Sequence, residues 1–252
     1  GPLTNHCNYC TETQFSHKMG ISDGNDLSLL HFNARSIQAN FDKLNVFLQD
    51  VSNRSMILGI SETWLSNESE GNVFSLPGKN LIVNNRNDRR GGGVALYIPT
   101  HFNYQVLTEI NIRNDLIESV FVELLFPGRR NVIIGVVYRP PQGNVNLFID
   151  EMQSLLSKCI FLNKTVFVMG DYNINLLQYD ENVNVCEFLN MCVSFSLLPL
   201  ITKPTRVTDT SSTLIDKIFT NVRPIPDAGI IISDLSDHFP VYTKVSFDIS
   251  YL

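Results

Sequence analysis

The stretch Val166-Phe167-Val168-Met169-Gly170-Asp171-Tyr172-Asn173 decides how the rest of this chain can be arranged. Four apolar residues run into a glycine, which is the pattern of a short strand buried on both faces that ends at the edge of a sheet. Asp171 and Asn173 are two residues apart, so in an extended backbone their side chains point the same way. An ordinary strand end with turn-forming Asp and Asn has the same pattern. The flanking sequence must therefore decide between a turn and a functional site.

Composition limits the classes of protein to which the chain can belong. Its 252 residues are 44% hydrophobic and 17% charged, which suits one large globular domain or at most two small ones. The net charge of −6 argues against a module that coats nucleic acid, but not against an enzyme that binds a phosphodiester through a metal ion. No run approaches the roughly 18 apolar residues of a membrane span. Five cysteines without framework spacing indicate reduced thiols in an intracellular, non-secreted protein.

The two ends of the chain are predicted to lie outside the domain. Residues 1–26 are polar, and we expect a tag scar at Gly1-Pro2-Leu3 followed by a poorly ordered lead-in. Cys7 and Cys10 have the spacing of half a zinc site, but the next cysteine is Cys159, so two incidental thiols are the simpler interpretation. Residues 27–248 form the predicted domain, and we expect 249–252 to be the end of an excised fragment.

Apolar runs between these ends predict more strands than helices. The predicted strands are 27–32, 56–60, 94–98, 117–125, 132–138, 166–169, 214–220, 230–232 and 241–247, and the predicted helices are 36–51, 145–159 and 185–195. Several strands are joined by hairpin turns, which excludes a regular alternation of strands and helices. Two mixed sheets packed face to face, with helices outside, would account for this order.

Polar residues recur where these strands end. The set is Asn33, Glu62, Tyr138, Asp171 with Asn173, and Asp237 with His238, while Asp216 lies within a strand. Each residue alone is ordinary, because a buried Asp or His is more often a satisfied structural group than a catalytic one. Together they can divide the work of a hydrolase. Glu62 and Asp237 can bind Mg²⁺, Asp216 can pair with His238, and Asp171 can orient a water molecule.

The three remaining members, Asn33, Asn173 and Tyr138, can donate hydrogen bonds to a phosphate. Phosphodiester hydrolysis requires such a set, since a water must be positioned, the charge on the phosphate oxygens stabilised and the leaving oxygen neutralised. Other hydrolase classes fit less well. The chain lacks the Gly-x-Ser-x-Gly of serine hydrolases and the His-Glu-x-x-His of zinc hydrolases.

These residues resemble the endonuclease/exonuclease/phosphatase superfamily, which includes deoxyribonuclease I and the apurinic endonucleases. The matching segments are Asn33, Ser61-Glu62-Thr63-Trp64, Tyr138-Arg139-Pro140-Pro141, Gly170-Asp171-Tyr172-Asn173, Ile215-Asp216 and Ser236-Asp237-His238, in the order of the family. Within it the chain looks most like the endonuclease domain of LINE-type (non-LTR) retrotransposons. That likeness is carried by residues 31–36, 138–141 and 213–221. The resemblance implies an α/β fold, a four-layer αββα sandwich of two mixed β-sheets flanked by helices, similar to deoxyribonuclease I.

The resemblance also implies a role for each matching residue. Glu62 would be the principal ligand of Mg²⁺, for which Mn²⁺ could substitute, with Asn33 and Asp237 close to the metal. Asp171 would orient or deprotonate the attacking water. Asn173 and Tyr138 would hold the phosphate, with support from Thr213. His238, oriented by Asp216, would stabilise the charge that develops on the phosphate.

Further residues are candidates for contact with the substrate, namely Arg139, Lys203, Arg206 and Arg223. Specificity for DNA is expected to come from surface loops and DNA shape. The candidate loops are 86–90, the stretch with Lys203 and Arg206, and 221–229, and the alternative is that they are simply solvated. Pro224 and Pro226 would stiffen 221–229 into a projection, so we expect its shortening to change cleavage-site choice but not the fold.

The expected activity is nicking of double-stranded target DNA, which leaves 3′-hydroxyl and 5′-phosphate ends. In the retrotransposon branch the 3′-hydroxyl primes reverse transcription, which implies a reverse transcriptase domain in the same polyprotein. Synthesis would be cytoplasmic, action nuclear, and no membrane would be involved. Two alternatives stay open. One is a relative that acts on abasic sites, RNA or other phosphodiesters, and the other is a nucleic-acid-binding module that kept the fold without catalysis.

Overall fold

Two mixed β-sheets packed face to face, with α-helices against their outer faces, form the body of the protein. The computed structural model describes residue 3 and residues 7–20, 26–51, 55–66, 72–86, 90–160 and 164–246. This arrangement confirms the αββα sandwich expected from the sequence. The shared core lies between the sheets, where apolar side chains from both inner faces meet.

Strands outnumber helices along the described residues. The strands are β1 (Cys7–Thr11), β2 (Asp26–Asn33), β3 (Ile57–Ser61), β4 (Lys79–Asn84), β5 (Val94–Pro99), β6 (Tyr104–Val106), β7 (Glu118–Leu124), β8 (Val132–Tyr138), β9 (Thr165–Asp171), β10 (Leu198–Pro199), β11 (Arg206–Val207), β12 (Ser212–Thr213), β13 (Asp216–Thr220), β14 (Asp227–Ile232) and β15 (Val241–Ser246). The helices are α1 (Glu12–Gly20), α2 (Ile37–Gln49), α3 (Val145–Ile160) and α4 (Val183–Ser194). No helix in the described part of the chain is long and apolar enough to cross a membrane.

The strand order explains how distant parts of the sequence meet. The first sheet runs β1-β14-β15-β2-β3-β5-β4 and the second β10-β13-β9-β8-β7-β6, while β11 and β12 form a separate hairpin. The central pairs β2–β3 and β8–β9 are parallel. The carboxyl ends of parallel neighbours lie at the same edge of a sheet, so each sheet gathers strand-end side chains at one edge.

Helix α2 illustrates how the sequence pattern produces the outer layers. The Ser36 hydroxyl accepts a hydrogen bond from the Ala39 backbone N–H, which caps the first turn. Ile37, Leu44 and Phe47 are buried against the outer face of the first sheet. Helices α3 and α4 cover the second sheet in the same way. There Phe148 and Phe188 join an aromatic cluster with Tyr172 and Phe219.

Glycine at position 170 is required by the packing of β9 against β8. A Cβ atom at this position would lie 1.8 Å from the carbonyl oxygen of Val137, far inside van der Waals contact. Any side chain would push the two strands apart at the point where β9 ends. Gly170 therefore allows the close approach that places Asp171 directly beside Tyr138 in the parallel register.

The beginning of the chain corrects one expectation. Residues 7–20 are not a poorly ordered lead-in: β1 pairs in parallel with β14, and α1 buries Phe15 and Met19. These two side chains are four residues apart and share one helix face. Cys7 is fully buried, whereas Cys10 lies beside the Tyr242 hydroxyl, so the two thiols do not converge. Two residues of the expected tag scar Gly1-Pro2-Leu3, Gly1 and Pro2, and the whole of the expected fragment end at 249–252 lie outside the described residues.

Candidate active site

The edges of the two sheets bring the predicted residues together. Asn33 at the end of β2 is paired with Ser61 at the end of β3, and Glu62 follows. In the second sheet Tyr138, Asp171 and Asp216 lie side by side in register. His238 precedes β15, whose first residue pairs with the end of β2. The polar residues that follow the strands in the sequence therefore lie together at the adjacent edges of the two sheets.

Asn33 connects the two sheets across this edge. Its Nδ2 donates hydrogen bonds to Glu62 Oε1 at 2.9 Å and to Asp171 Oδ2 at 2.8 Å. Its Oδ1 accepts a hydrogen bond from the Arg35 backbone N–H at 3.0 Å. Asn33 is fully buried, and its amide fixes the distance between the two carboxylates. A carboxylate on the first sheet is thus held next to a carboxylate on the second.

Glu62 occupies a left-handed backbone conformation with φ of 54°. For a residue with a Cβ this costs on the order of 1–3 kcal/mol and is most often found where function requires a particular side-chain direction. The second carboxylate oxygen, Oε2, accepts a hydrogen bond from Trp64 Nε1 at 3.1 Å. Glu62 remains half-buried, so its carboxylate is held in place but still accessible to a ligand.

His238 and Asp216 form a buried pair. His238 Nδ1 lies 2.8 Å from Asp216 Oδ2 and 4.0 Å from Asp171 Oδ2. Thr205, which was not among the residues predicted from the sequence, completes this pair. Its hydroxyl donates to Asp216 Oδ2 at 2.8 Å and accepts from the Asp216 backbone N–H at 3.1 Å. Thr205 lies in an irregular segment, where no periodic pattern marks a residue as buried or functional.

The pKa values of His238, Asp216 and Asp171 differ because these buried groups lie next to one another. Burial would lower the pKa of His238, but Asp216 and Asp171 raise it to about 9. Burial opposes ionisation of Asp216, yet His238 holds the pKa of that carboxyl below its usual range. Burial and the charge of Asp216 raise the pKa of Asp171 to about 7. At neutral pH the edge therefore carries an imidazolium, an ionised Asp216 and an Asp171 that can gain or lose a proton.

The chemistry of these groups indicates where a metal ion fits. Asp171, Asp216 and His238 offer ligating atoms that all lie within 4.8 Å of one another. His238 Nδ1 already bonds Asp216 Oδ2 at 2.8 Å, an arrangement suited to holding and transferring a proton. The half-exposed carboxylate of Glu62, tied to Asn33, offers the oxygen donors that Mg²⁺ prefers. A divalent ion fits the Glu62 side of the edge.

Tyr138 and Asn173 face the site from the second sheet. The Tyr138 hydroxyl makes no hydrogen bond to any residue in the described part of the chain and opens into a groove of about 410 Å³ that Glu62 and Trp64 also line. Burial raises the pKa of Tyr138, so the hydroxyl stays a donor. Asn173 has φ of 47°, and its backbone N–H donates to Asp171 Oδ1 at 3.0 Å. Both residues lie where a phosphate between the two sheets could be contacted.

Arg139 is placed differently from the substrate contact that we expected. Its side chain is buried, and its guanidinium donates to the carbonyl oxygens of Asn173 and Gly143. The Asn173 amide in turn donates to the Arg139 carbonyl oxygen at 2.7 Å. Arg139 therefore holds the turn after Asp171 from behind. Its guanidinium is not available at the surface of the site.

The other residues that were expected to contact the substrate, Thr213, Lys203 and Arg206, do not lie together. Thr213 lies in β12 beside Arg206, and its carbonyl oxygen accepts from the Thr205 backbone N–H at 2.9 Å. Lys203 turns toward the first strand, with Nζ 3.4 Å from Asn8 Oδ1 and 5.8 Å from the Tyr9 ring centroid. The structure therefore brings Arg206 to the site and leaves Lys203 on the β1 side.

The segment 221–229 is not a projection near the site. β13 starts at Asp216 beside Asp171 and ends at Thr220 beside Phe167, so the following loop lies at the opposite end of the sheet. Arg223 donates there to backbone carbonyl oxygens, including that of Ser196 at 3.0 Å. Residues 227–229 belong to β14. The expectation that this segment reaches the substrate was wrong because the direction of β13 determines where it lies.

The segment 86–90 lies beside the groove. Arg86 is buried in an ion pair with the fully buried Glu118, beneath the glycines that precede β5. Arg90 lies over the Trp64 ring at 5.1 Å from its centroid. Residues 87–89 are outside the described part of the chain. Arg86 therefore supports the groove from below, and Arg90 lies at its surface.

Lys217 is a second residue that no sequence pattern singled out. It is fully buried behind the site, and its Nζ donates to the carbonyl oxygens of Ile174 at 2.6 Å and Ile215 at 3.0 Å. These carbonyls belong to the segments that carry Asp171 and Asp216. Burial lowers the pKa of Lys217 to about 7. The ammonium group thus ties the two segments together from the outer face.

Asp237 was expected near the metal, and the structure places it among arginines. Its Oδ2 accepts from Arg35 Nη1 at 2.7 Å and from Arg206 Nη2 at 2.9 Å. Burial opposes ionisation, but His238 and these two arginines lower the pKa of Asp237. The carboxylate is therefore ionised and already occupied by two cations.

The fold is similar to those of several solved structures. The endonuclease domain of TRAS1, a telomere-specific non-LTR retrotransposon, is similar at a TM-score of 0.68 and 13% identity over 87% of this chain and 98% of that one. The AP endonuclease LMAP from Leishmania major has a TM-score of 0.74 and 12% identity, with 92% and 91% covered. The APE2 catalytic domain from Xenopus laevis has a TM-score of 0.64 and 16% identity, with 86% and 90% covered. No curated protein matches the chain.

At these identities the solved structures establish the fold. The sequence itself gives the family, because the model of the Endonuclease/Exonuclease/phosphatase family matches residues 30–238. That span begins just before Asn33 and ends at His238, so it includes every group assembled at the edge of the two sheets. The chain belongs to the endonuclease/exonuclease/phosphatase family.

Proposed function

We propose that this protein is a Mg²⁺-dependent endonuclease that nicks double-stranded DNA by phosphodiester hydrolysis. The observation that carries the proposal is the arrangement around Asp171. This carboxyl lies 4.0 Å from the His238 imidazole and is joined through one asparagine amide to Glu62. A proton acceptor, a charged proton donor and a candidate metal ligand thus meet within one buried edge.

Asp171 is the group that accepts the proton of the attacking water. Its pKa near 7 lets it hold a proton briefly and release it, which suits a general base at neutral pH. Asn33 and the backbone N–H of Asn173 fix the direction of its two oxygens. The carboxylate therefore does not need to reorganise when the water is deprotonated.

His238 stabilises negative charge on the phosphate. Its imidazolium is held by Asp216, which prevents the ring from turning, and Thr205 prevents Asp216 from turning. The Tyr138 hydroxyl and the Asn173 amide complete the donors on the side of the second sheet. A Mg²⁺ ion held by Glu62 with Asn33 close by would act as a Lewis acid on the phosphate oxygens, and Mn²⁺ could replace it.

The choice of DNA rests on family membership together with the similar structures. These include a retrotransposon endonuclease, AP endonucleases, and TDP2 from D. rerio in complex with a single-stranded DNA product. On this basis we extend the proposal to a retrotransposon origin. The 3′-hydroxyl of the nick would prime reverse transcription by a domain of the same polyprotein, in the nucleus.

Relaxation of supercoiled plasmid tests the proposed activity. Purified wild-type protein should convert the plasmid to open circles with Mg²⁺ and not with EDTA, and the open circles should be ligatable, as 3′-hydroxyl and 5′-phosphate ends require. Asp171→Ala and Glu62→Ala should each reduce the nicking rate by about 10²-fold or more. Asp150→Ala, which removes an exposed carboxylate on α3, is the matched control and should leave the rate unchanged. A folded Asp171→Ala variant that nicks at the wild-type rate would refute the assignment.

A second candidate function is incision at abasic sites. The similar structures of two AP endonucleases favour it, as does the groove beside Tyr138, which could receive a displaced nucleotide. A duplex with one abasic analogue, cleaved in competition with the intact duplex, separates the two functions. Preference for the abasic strand by more than about 100-fold would favour repair, and equal rates would favour general nicking.

A further inference from the structure

Two arginines converge on the carboxylate of Asp237 at the rim of the site. Arg35 approaches from the turn after β2, with Nη1 2.7 Å from Asp237 Oδ2. Arg206 approaches from β11, with Nη2 at 2.9 Å and Nε at 3.1 Å from the same oxygen. Two positive charges share one negative charge, so the cluster keeps a net positive charge beside His238.

Both arginines are anchored to the site. The Arg35 backbone N–H donates to Asn33 Oδ1 at 3.0 Å, and Arg35 and Ser36 have φ of 41° and 92°. Positive φ values are costly for residues with a Cβ and occur where the surrounding structure holds the backbone in place. Arg206 directly follows Thr205, the residue that holds Asp216. The direction of each arginine is thus linked to a residue of the active site.

The same side chains remain open to solvent. The side chains of Arg35, Arg206 and Asp237 are 47%, 39% and 38% exposed. A guanidinium carries five N–H donors in a planar fork, and most of those on the two arginines are not used by Asp237. Oriented and exposed guanidinium groups are suited to the oxygens of a phosphate.

We propose that Arg35 and Arg206, oriented by Asp237, bind a backbone phosphate adjacent to the one that is hydrolysed. Asp237 is then a positioning residue for the two arginines and not a metal ligand. One of its oxygens already accepts three N–H groups, and two guanidinium charges beside it would repel a divalent cation. The source of the phosphate, a DNA strand, rests on the proposed function.

DNA binding without catalysis tests the subsite. A labelled 30-base-pair duplex of mixed sequence is titrated with the protein in EDTA, by fluorescence anisotropy, over a series of KCl concentrations. Arg35→Gln and Arg206→Gln should each raise Kd about five- to tenfold at low salt and reduce the slope of log Kd against log salt by about 1. The matched control is Arg130→Gln in the turn between β7 and β8, at the opposite end of β8 from Tyr138, and it should change neither quantity.

Equal effects of all three substitutions would overturn the subsite, because they would show only a general effect of charge. Failure of the wild-type protein to bind the duplex would overturn it as well. Neither result depends on hydrolysis, so the plasmid experiment can still succeed or fail separately. A parallel titration of the DNA complex with inorganic phosphate distinguishes a DNA subsite from a general anion site. A general anion site would be saturated by millimolar phosphate, and a DNA subsite would not.

Binding of Mn²⁺ tests the role of Asp237. Free Mn²⁺ is measured by electron paramagnetic resonance in titrations of DNA-free protein. Asp237→Asn should leave the Kd for Mn²⁺ within about twofold of wild type, whereas Glu62→Gln should raise it by about tenfold or more. A tenfold loss of Mn²⁺ affinity in Asp237→Asn would make Asp237 a metal ligand and overturn this part of the proposal.

Discussion

At the scale of single residues, the main feature is the unequal charge of chemically similar groups. Asp171 and Asp216 are neighbours in register and both fully buried, yet their pKa values move in opposite directions. The cause is His238, which bonds Asp216 at 2.8 Å and lies 4.0 Å from Asp171. From the sequence, Asp171 and His238 were placed at strand ends and Asp216 within a strand. The pairing of Asp216 with His238 was also expected from the sequence, whereas the 4.0 Å distance from His238 to Asp171 was not, because it depends on how the strands meet.

The rate of hydrolysis should depend on pH in a bell shape. Asp171 must be ionised to accept a proton, so the rate should rise through about pH 7. His238 must be protonated to stabilise negative charge, so the rate should fall through about pH 9. The two limbs belong to a coupled group, and the optimum should lie near pH 8. Plasmid nicking at constant ionic strength between pH 5.5 and 10 measures this profile. A rate that falls steadily from pH 6 to 8 would contradict these roles.

At the scale of secondary structure elements, the strand ends depend on close packing of the strands behind them. β9 approaches β8 closely only because residue 170 has no side chain. Gly170 was recognisable from the sequence as the end of a strand, but the reason for a glycine there was not. The contact with Val137 is made by a residue distant in sequence. Local patterns predict that an element exists and where it ends, whereas the approach of one element to another is determined by tertiary packing.

Gly170→Ala should destabilise the fold strongly. The new methyl group would meet a backbone oxygen at 1.8 Å, which cannot move without shifting β8, so we expect a loss of about 3 kcal/mol or more in the free energy of unfolding. Urea denaturation measures it. Gly128→Ala is the control, because its φ is 73° but no atom lies within 4 Å, and it should cost about 1 kcal/mol. Similar losses of unfolding free energy in the two variants would show that the backbone conformation at position 170 matters and that the contact with Val137 does not.

At the scale of the whole molecule, the prediction from sequence succeeded where apolar patterns continue through the core. The two sheets and α2 were inferred correctly, and Asn33, Glu62 and Asp171 lie where the strand-end pattern predicts. Segments with a mixed polar composition were misjudged. β1 and α1 are attached to the first sheet by few apolar side chains, of which Phe15 and Met19 were the available signal. Arg223 was misplaced because composition does not reveal the direction in which a strand runs.

The position of Arg223 leads to a prediction about specificity. Because this residue lies at the end of the sheet opposite the site, Arg223→Ala should leave both the Kd for duplex DNA and the positions of nicks unchanged. Nick positions are mapped by primer extension on a plasmid of mixed sequence. A changed pattern of nicks would mean that DNA wraps around the molecule to its far end.

The Asn33 bridge has a consequence for how the protein is made. The site joins Asn33 in β2 to Asp171 in β9 and uses His238 just before β15. A ribosome synthesises the first of these groups some two hundred residues before the last. During almost all of that time the growing chain lacks His238. The edge that joins Asn33, Asp171 and His238 can therefore assemble only after translation of this region has reached His238.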